Sequence, residues 1–181
     1  MVLMEEDLYK TKPHVSISYG FGKDNRYHLS NIPESIQLAI YKYEIFTSSK
    51  EEMFKELEEA NTDVRVVHLP LDSLTSGSLN MLEMIKELRF RTGCNKFVIH
   101  PNKTIKLFLD FFMQNNTEDI ILCVENFEWR KGKELRSPLQ IIEFINKLRY
   151  KYYYAKENIK LCLDTSHTEE IWFDHKLMSF I

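Results

Sequence analysis

The feature that most limits what this chain can fold into is its alternation. Short apolar, β-branched runs take turns with longer amphipathic ones from residue 14 onward. Residues 14–18 (HVSIS) read as a strand. Residues 31–40 read as a helix, with Asn31 as N-cap, Pro33 just inside, and Ile36 and Ile40 on one side. Residues 43–47 (YEIFT) are the expected second strand, followed over 49–60 by a helix with Met53, Leu57 and Ala60 on one stripe. Residues 63–70 (DVRVVHLP) make the third strand, closed by Pro70, which has no N–H to give a ladder.

The pattern continues to the end of the chain. Ser78 can cap a helix carrying Leu82, Ile85 and Leu88, which Gly93 can end in the left-handed conformation. Residues 96–101 (KFVIHP) are a strand, and Thr104 can cap a helix with Ile105, Phe108, Leu109 and Phe112 inward. Residues 119–127 (DIILCVENF) are the fifth strand. Ser137 and Pro138 then open a helix with Ile141, Ile145, Leu148 and Tyr152 on its buried face. Residues 158–167 (NIKLCLDTSH) are the sixth strand, and 173–181 read as the start of another helix. Strict alternation predicts an α/β fold with parallel strands, right-handed crossovers and helices over the sheet. The apolar continuity of the strands fits burial on both faces. No Pro/Gly-rich linker interrupts the pattern, so residues 1–181 are read as one domain.

Composition excludes several classes. Apolar residues are 44% of 181 and charged residues 28%, enough to build a core rather than a disordered chain. The formal net charge of -3 gives no global attraction for nucleic acid or anionic membrane. No apolar run approaches the roughly 20 residues a bilayer requires, so no membrane partner is expected. The opening residues (MVLMEEDLYKTK) are acidic and lack a secretory apolar region, which makes a cytoplasmic location the expectation. Cys94, Cys123 and Cys162 form no CxxC pair, and the last two sit in strand-like runs as small reduced hydrophobes.

Reading the strand ends together exposes a common chemistry. The third strand ends in His68, the fourth in His100, the fifth in Glu125, and the sixth in Asp164 and His167. In parallel α/β folds the C-terminal strand ends converge on one face. Each residue alone has an ordinary explanation, as a hydrogen-bonded histidine, a helix cap or a salt-bridge partner. Five ionisable groups at equivalent positions are hard to bury without a common partner. Imidazoles and carboxylates together suit zinc or manganese better than magnesium. His14 falls at the opposite face as a structural residue, and His28 and His175 read as solvated. Glu44 points to the sheet's interior or mouth, either as a histidine's partner or as a buried structural carboxylate.

Two basic-aromatic stretches accompany these ends. Residues 126–136 (NFEWRKGKELR) offer Asn126, Trp129, Arg130 and Arg136 as substrate-binding candidates able to clamp a phosphate or stack a base. The same stretch also reads as an ordinary solvated loop. Residues 149–156 (RYKYYYAK) fit the outside of the fold or an interface better than a nucleic-acid surface. No GxGxxG, Walker A or GxSxG motif occurs.

The ordered set VVHLP, FVIHP, LCVEN and LCLDTSH resembles the xylose isomerase-like TIM-barrel superfamily, which includes endonuclease IV (the family 2 AP endonucleases) and sugar isomerases and epimerases. The likeness runs from about residue 14 to 175, with Glu44 at an acidic position of the superfamily. It implies divalent metal at the C-terminal mouth of a (β/α)₈ barrel. Residues His68, His100, Glu125, Asp164 and His167 fall on endonuclease IV ligand positions. In the epimerases, the counterparts of Glu125, Asp164 and His167 surround the metal, and the glutamate helps move a proton. Ser166 stands where endonuclease IV has cysteine, and the segment after His68 lacks that family's glycine-tyrosine-asparagine pattern. About six of eight β-α units are present, against the roughly 250 residues typical of the full barrel. The chain is then a fragment, a partner-completed barrel or a natural open form, with a second copy of itself as the expected cover for open sheet edges.

The expected function is a metal-dependent isomerase or epimerase on a small sugar or polyol, proceeding through an enediolate with Glu125 as the catalytic proton carrier. An endonuclease IV-like phosphodiesterase on abasic DNA is the alternative. A truncated, non-catalytic or partner-completed module is the third reading.

Overall fold

A computed structural model of the chain describes residues 17–21, 35–70, 78–100, 105–115, 119–126, 138–152 and 157–162. Six strands form one parallel sheet in sequence order: β1 (Ile17–Phe21), β2 (Ser35–Ile40), β3 (Asp63–His68), β4 (Lys96–Ile99), β5 (Ile121–Glu125) and β6 (Ile159–Cys162). Helices α1 (Tyr43–Ala60), α2 (Ser78–Thr92), α3 (Ile105–Asn115) and α4 (Pro138–Lys151) join the successive strands from β2 onward. This α/β arrangement is consistent with a partial barrel-like fold.

The first third of the chain departs from expectation. Residues 35–40 are a strand rather than the end of a helix, and 43–47 are the first turns of α1 rather than a strand. Ile36 and Ile40 suit either period, but Leu38 lies on the far side of a helix carrying them. In a strand all three share one face, and all three are buried. Helix α1 then starts after Lys42, with Glu44 in its first turn, where a carboxylate suits the positive end of the helix dipole. Glu44 is exposed there, on a helix rather than in the sheet interior. Strand β1 overlaps the expected 14–18 only at Ile17 and Ser18, the earlier residues lying outside the described set.

The later units follow the sequence reading. Leu82, Ile85 and Leu88 of α2 are buried, as are Ile105, Phe108, Leu109 and Phe112 of α3, and Ile141, Ile145 and Leu148 of α4 with Tyr152 just beyond it. Gly93 ends α2 at φ 72, its N–H donating to Arg89 O at 3.0 Å. All three cysteines are free thiols, Cys94 buried and the other two half-buried. No helix among the described residues is long and apolar enough to cross a membrane.

The two sheet faces differ in composition, and the difference creates the site. Phe21, Leu38, Val67, Phe97, Leu122 and Ile159 are buried with the helices in one apolar cluster. The opposite face holds Gly20, Ala39, His68, Val98, Cys123 and Lys160, one row of direct register partners. Strand β3 carries one more residue than β2 across their pairing: Ile36 pairs with Val64 and Gln37 with Val66, leaving Arg65 without a partner in the ladder. Val64 and Val67 thereby both reach the buried cluster.

Candidate metal centre

His68 ends β3, His100 follows β4 by one residue, and Glu125 ends β5. Register fixes their common side: His68 pairs with Val98, Val98 with Cys123, and two residues further along lie His100 and Glu125. The parallel sheet therefore delivers three ligand-type side chains from three consecutive strand ends to one place.

Their geometry is tight. His100 Nε2 lies 2.6 Å from Glu125 Oε2, and His68 Nε2 lies 3.3 Å from the same oxygen. The imidazole centroids are 4.5 Å apart with planes inclined at 57°. An ionised carboxylate can only accept, so each ring takes the tautomer with hydrogen on Nε2 and donates it to Glu125. Burial pushes the Glu125 carboxyl up, but the hydrogen bonds from His100 and His68 outweigh it and hold the pKa down at about 2, from an ordinary 4.5.

One candidate ligand atom from each of these residues lies within 4.8 Å of the other two. A tetrahedral zinc bonded at about 2.1 Å spaces its donors about 3.4 Å apart. The 3.3 Å contact matches that spacing, and the 2.6 Å contact needs to open by under an ångström. Side-chain exposure of 22%, 12% and 9% for His68, His100 and Glu125 leaves the group reachable from solvent yet mostly shielded. Two nitrogens and a carboxylate oxygen thus fit a zinc- or manganese-type ion.

The other candidates divide. Asn126 is fully buried, and its backbone N–H donates to Cys162 O at 3.2 Å, tying the end of β5 to β6. Asp164, His167, Trp129, Arg130 and Arg136, and likewise His14, His28 and His175, lie outside the described residues. Cys162, read from sequence as a strand hydrophobe, is the register partner of Glu125 and shares its face. The alternation Cys123, Glu125 in β5 with Lys160, Cys162 in β6 is the sequence signal for that placement. Comparison with known proteins finds no match to a family model, a curated protein or a solved structure.

The bonded carboxylate carries an expected acid response in metal-free protein. Its folded pKa is depressed, so its stabilisation is complete above the unfolded value near 4.5 and is lost as pH falls through about 2. The contribution is on the order of 3 kcal/mol. Urea unfolding from pH 6 to 2 should show a decline in wild type that Glu125→Gln lacks in part. Parallel pH curves for the two proteins would contradict it.

Proposed function

We propose that this chain is a TIM-barrel-like, metal-dependent phosphodiesterase of the endonuclease IV kind, acting on abasic DNA. The observation that carries the reading is the convergence of His68 and His100 on one oxygen of Glu125. The resemblance makes all three ligands in endonuclease IV, whereas the epimerase metal is surrounded by the counterparts of Glu125, Asp164 and His167. Histidines at the positions of His68 and His100 also occur among isomerase-like members, so the pair supports the phosphodiesterase reading without deciding it. His68, His100 and Glu125 would hold the divalent ion. The chemistry such an ion supplies is acidification of water and compensation of charge on a leaving oxygen.

The chain's own groups fit this role. Glu125 stays anionic at neutral pH and supplies the negative charge that a divalent ion would balance. Loading the site requires each ring to carry its hydrogen on Nδ1 instead, freeing Nε2 as the ligand atom, and uptake weakens in acid because protons compete with the ion for the imidazole nitrogens.

A sugar isomerase or epimerase is the second reading, favoured by the net charge of -3, which offers DNA no long-range attraction. There Glu125 moves the proton. A partner-completed or non-catalytic module is the third, favoured by the sheet's order, in which β1 and β6 are the outer strands.

The deciding experiment uses purified protein, a metal assay and a duplex with one synthetic abasic site. The expected result is near-stoichiometric zinc or manganese and strand incision at that site, abolished by chelation and restored by the ion. Bound metal without incision, accompanied by solvent-deuterium incorporation into a sugar, would transfer the assignment to the isomerase reading. Absence of metal binding would overturn both enzyme readings.

A further inference from the structure

The helix-free face of the sheet carries two lysines below the metal centre. Lys96 of β4 is the register partner of Ile121, and Lys160 of β6 is the register partner of Cys123. Ile121 and Cys123 are two apart on β5, so both lysines share the face that carries Cys123 and, two residues further, Glu125. Lys96 is exposed, and the Lys160 side chain is 47% exposed. Strands β4 and β6 lie two strand spacings apart, about 10 Å, a gap that two flexible four-carbon stems can close. Burial pushes the Cys123 thiol up, while the charges of Lys160 and Lys96 pull it down, so both ammonium groups act on one point between their strands. Lys160 meets Glu157 across 3.9 Å, a loose exposed pair of the kind worth little. Carboxylates that make the chain acidic lie elsewhere: Glu51, Glu58, Glu59 and Glu83 are exposed on α1 and α2, over the opposite face.

We propose that Lys96 and Lys160 form an anion site on the helix-free sheet face, taking a phosphate group beside the metal centre. The inference rests on the phosphodiesterase reading above and deepens it: with the attacked phosphate at the metal centre, the lysines take one adjoining it. Cys123 precedes Glu125 by two residues, about 7 Å along the strand, which sets that separation. The floor between the ammonium groups is Ile121 and Cys123, which adds no competing negative charge. Lysine suits the role because its ammonium is a point charge with three donors that can turn toward any oxygen of a phosphate. The site also reconciles a chain of net charge -3 with a polyanionic substrate. Contacts to backbone phosphates supply affinity locally and without sequence preference.

Lys96→Gln, Lys160→Gln and the double variant test this, with Lys55→Gln on the exposed side of α1 as the control for lost charge. Each zinc-loaded protein is assayed for metal content, thermal unfolding, and affinity for a duplex with one tetrahydrofuran abasic site over a range of potassium chloride concentrations. Every variant should keep its zinc and wild-type thermal stability, because exposed lysines tolerate glutamine. In wild type, log affinity should fall linearly with log salt. Each inner lysine removed should lower that slope by about 0.9, additively in the double variant, and Lys55→Gln should leave it unchanged. A wild-type slope in either inner variant overturns the pair, as does an equal drop in Lys55→Gln. A wild type that does not bind the duplex overturns the phosphodiesterase reading, and titration with inorganic phosphate then decides the site alone. Phosphate binding that is lost in the double variant keeps the anion site, and equal binding or none overturns it too.

Discussion

Glu125→Gln is expected to leave the chain folded and nearly devoid of divalent metal. The amide keeps the shape of the carboxylate, so packing at the end of β5 survives. Its charge is gone, and its one carbonyl oxygen must serve two imidazole donors that now share a neutral acceptor. Zinc affinity should fall by about 100-fold or more, beyond the loss typical when only a ligand's supporting partner is changed. Isothermal titration and metal content after desalting measure this directly. Circular dichroism should remain that of wild type, with a stability loss of about 1–3 kcal/mol in the metal-free protein. His100→Ala should behave alike, because His100 makes the shorter contact with the same oxygen. A variant that retains wild-type zinc affinity would remove Glu125 from the centre.

The second large effect concerns the core beneath the site. Phe97 is fully buried in β4, paired with Val67 on one side and Leu122 on the other. Phe97→Ala deletes an aromatic ring from the interior and leaves a cavity, at a cost of about 3–5 kcal/mol. Domains are commonly stable by only about 5–15 kcal/mol, so this one change removes a large share. Chemical denaturation should show a lower midpoint with an unchanged slope. Phe90 supplies the internal control: the same residue type at 85% exposure should tolerate alanine within about 0.5 kcal/mol. Because β4 leads into His100, Phe97→Ala should weaken metal retention in proportion to the unfolded fraction.

The contrast between these residues also explains what was readable in the sequence. From β3 to β6, apolar runs, spaced helix stripes and Gly93 all agree, and the elements lie where those signals put them, while the rest of the expected sixth strand and the helix over 173–181 lie outside the described residues. Earlier the signals conflict. Ile36 and Ile40 are spaced four apart, and Asn31 and Pro33 resemble a helix start, so the strand there is disguised as a helix. Packing of Leu38 alongside them against the helices favours the strand. That displacement moved Glu44 from the expected sheet interior to an exposed helix turn.

At the site, the residue types were legible and the atomic meeting point was not. Strand ends disclose His68, His100 and Glu125 because a parallel sheet brings its C-terminal ends to one side. Their convergence on a single oxygen depends on register, stagger and ring orientation. Pairwise register likewise reveals Cys162 as the neighbour of Glu125. An alternating pattern gives the face of a residue within its own strand but not its partner in the next.

Arg65, the residue of β3 skipped by the ladder, turns this into a matter of parity. Counting by twos from helix-facing Val64 would send His68 into the same apolar layer. The skipped residue changes even to odd, so Val67 takes the buried place and His68 emerges beside Glu125. One ligand of the proposed centre therefore depends on the number of residues before it as much as on being histidine. A lineage could keep every apolar residue of this strand and still lose that ligand by losing one position.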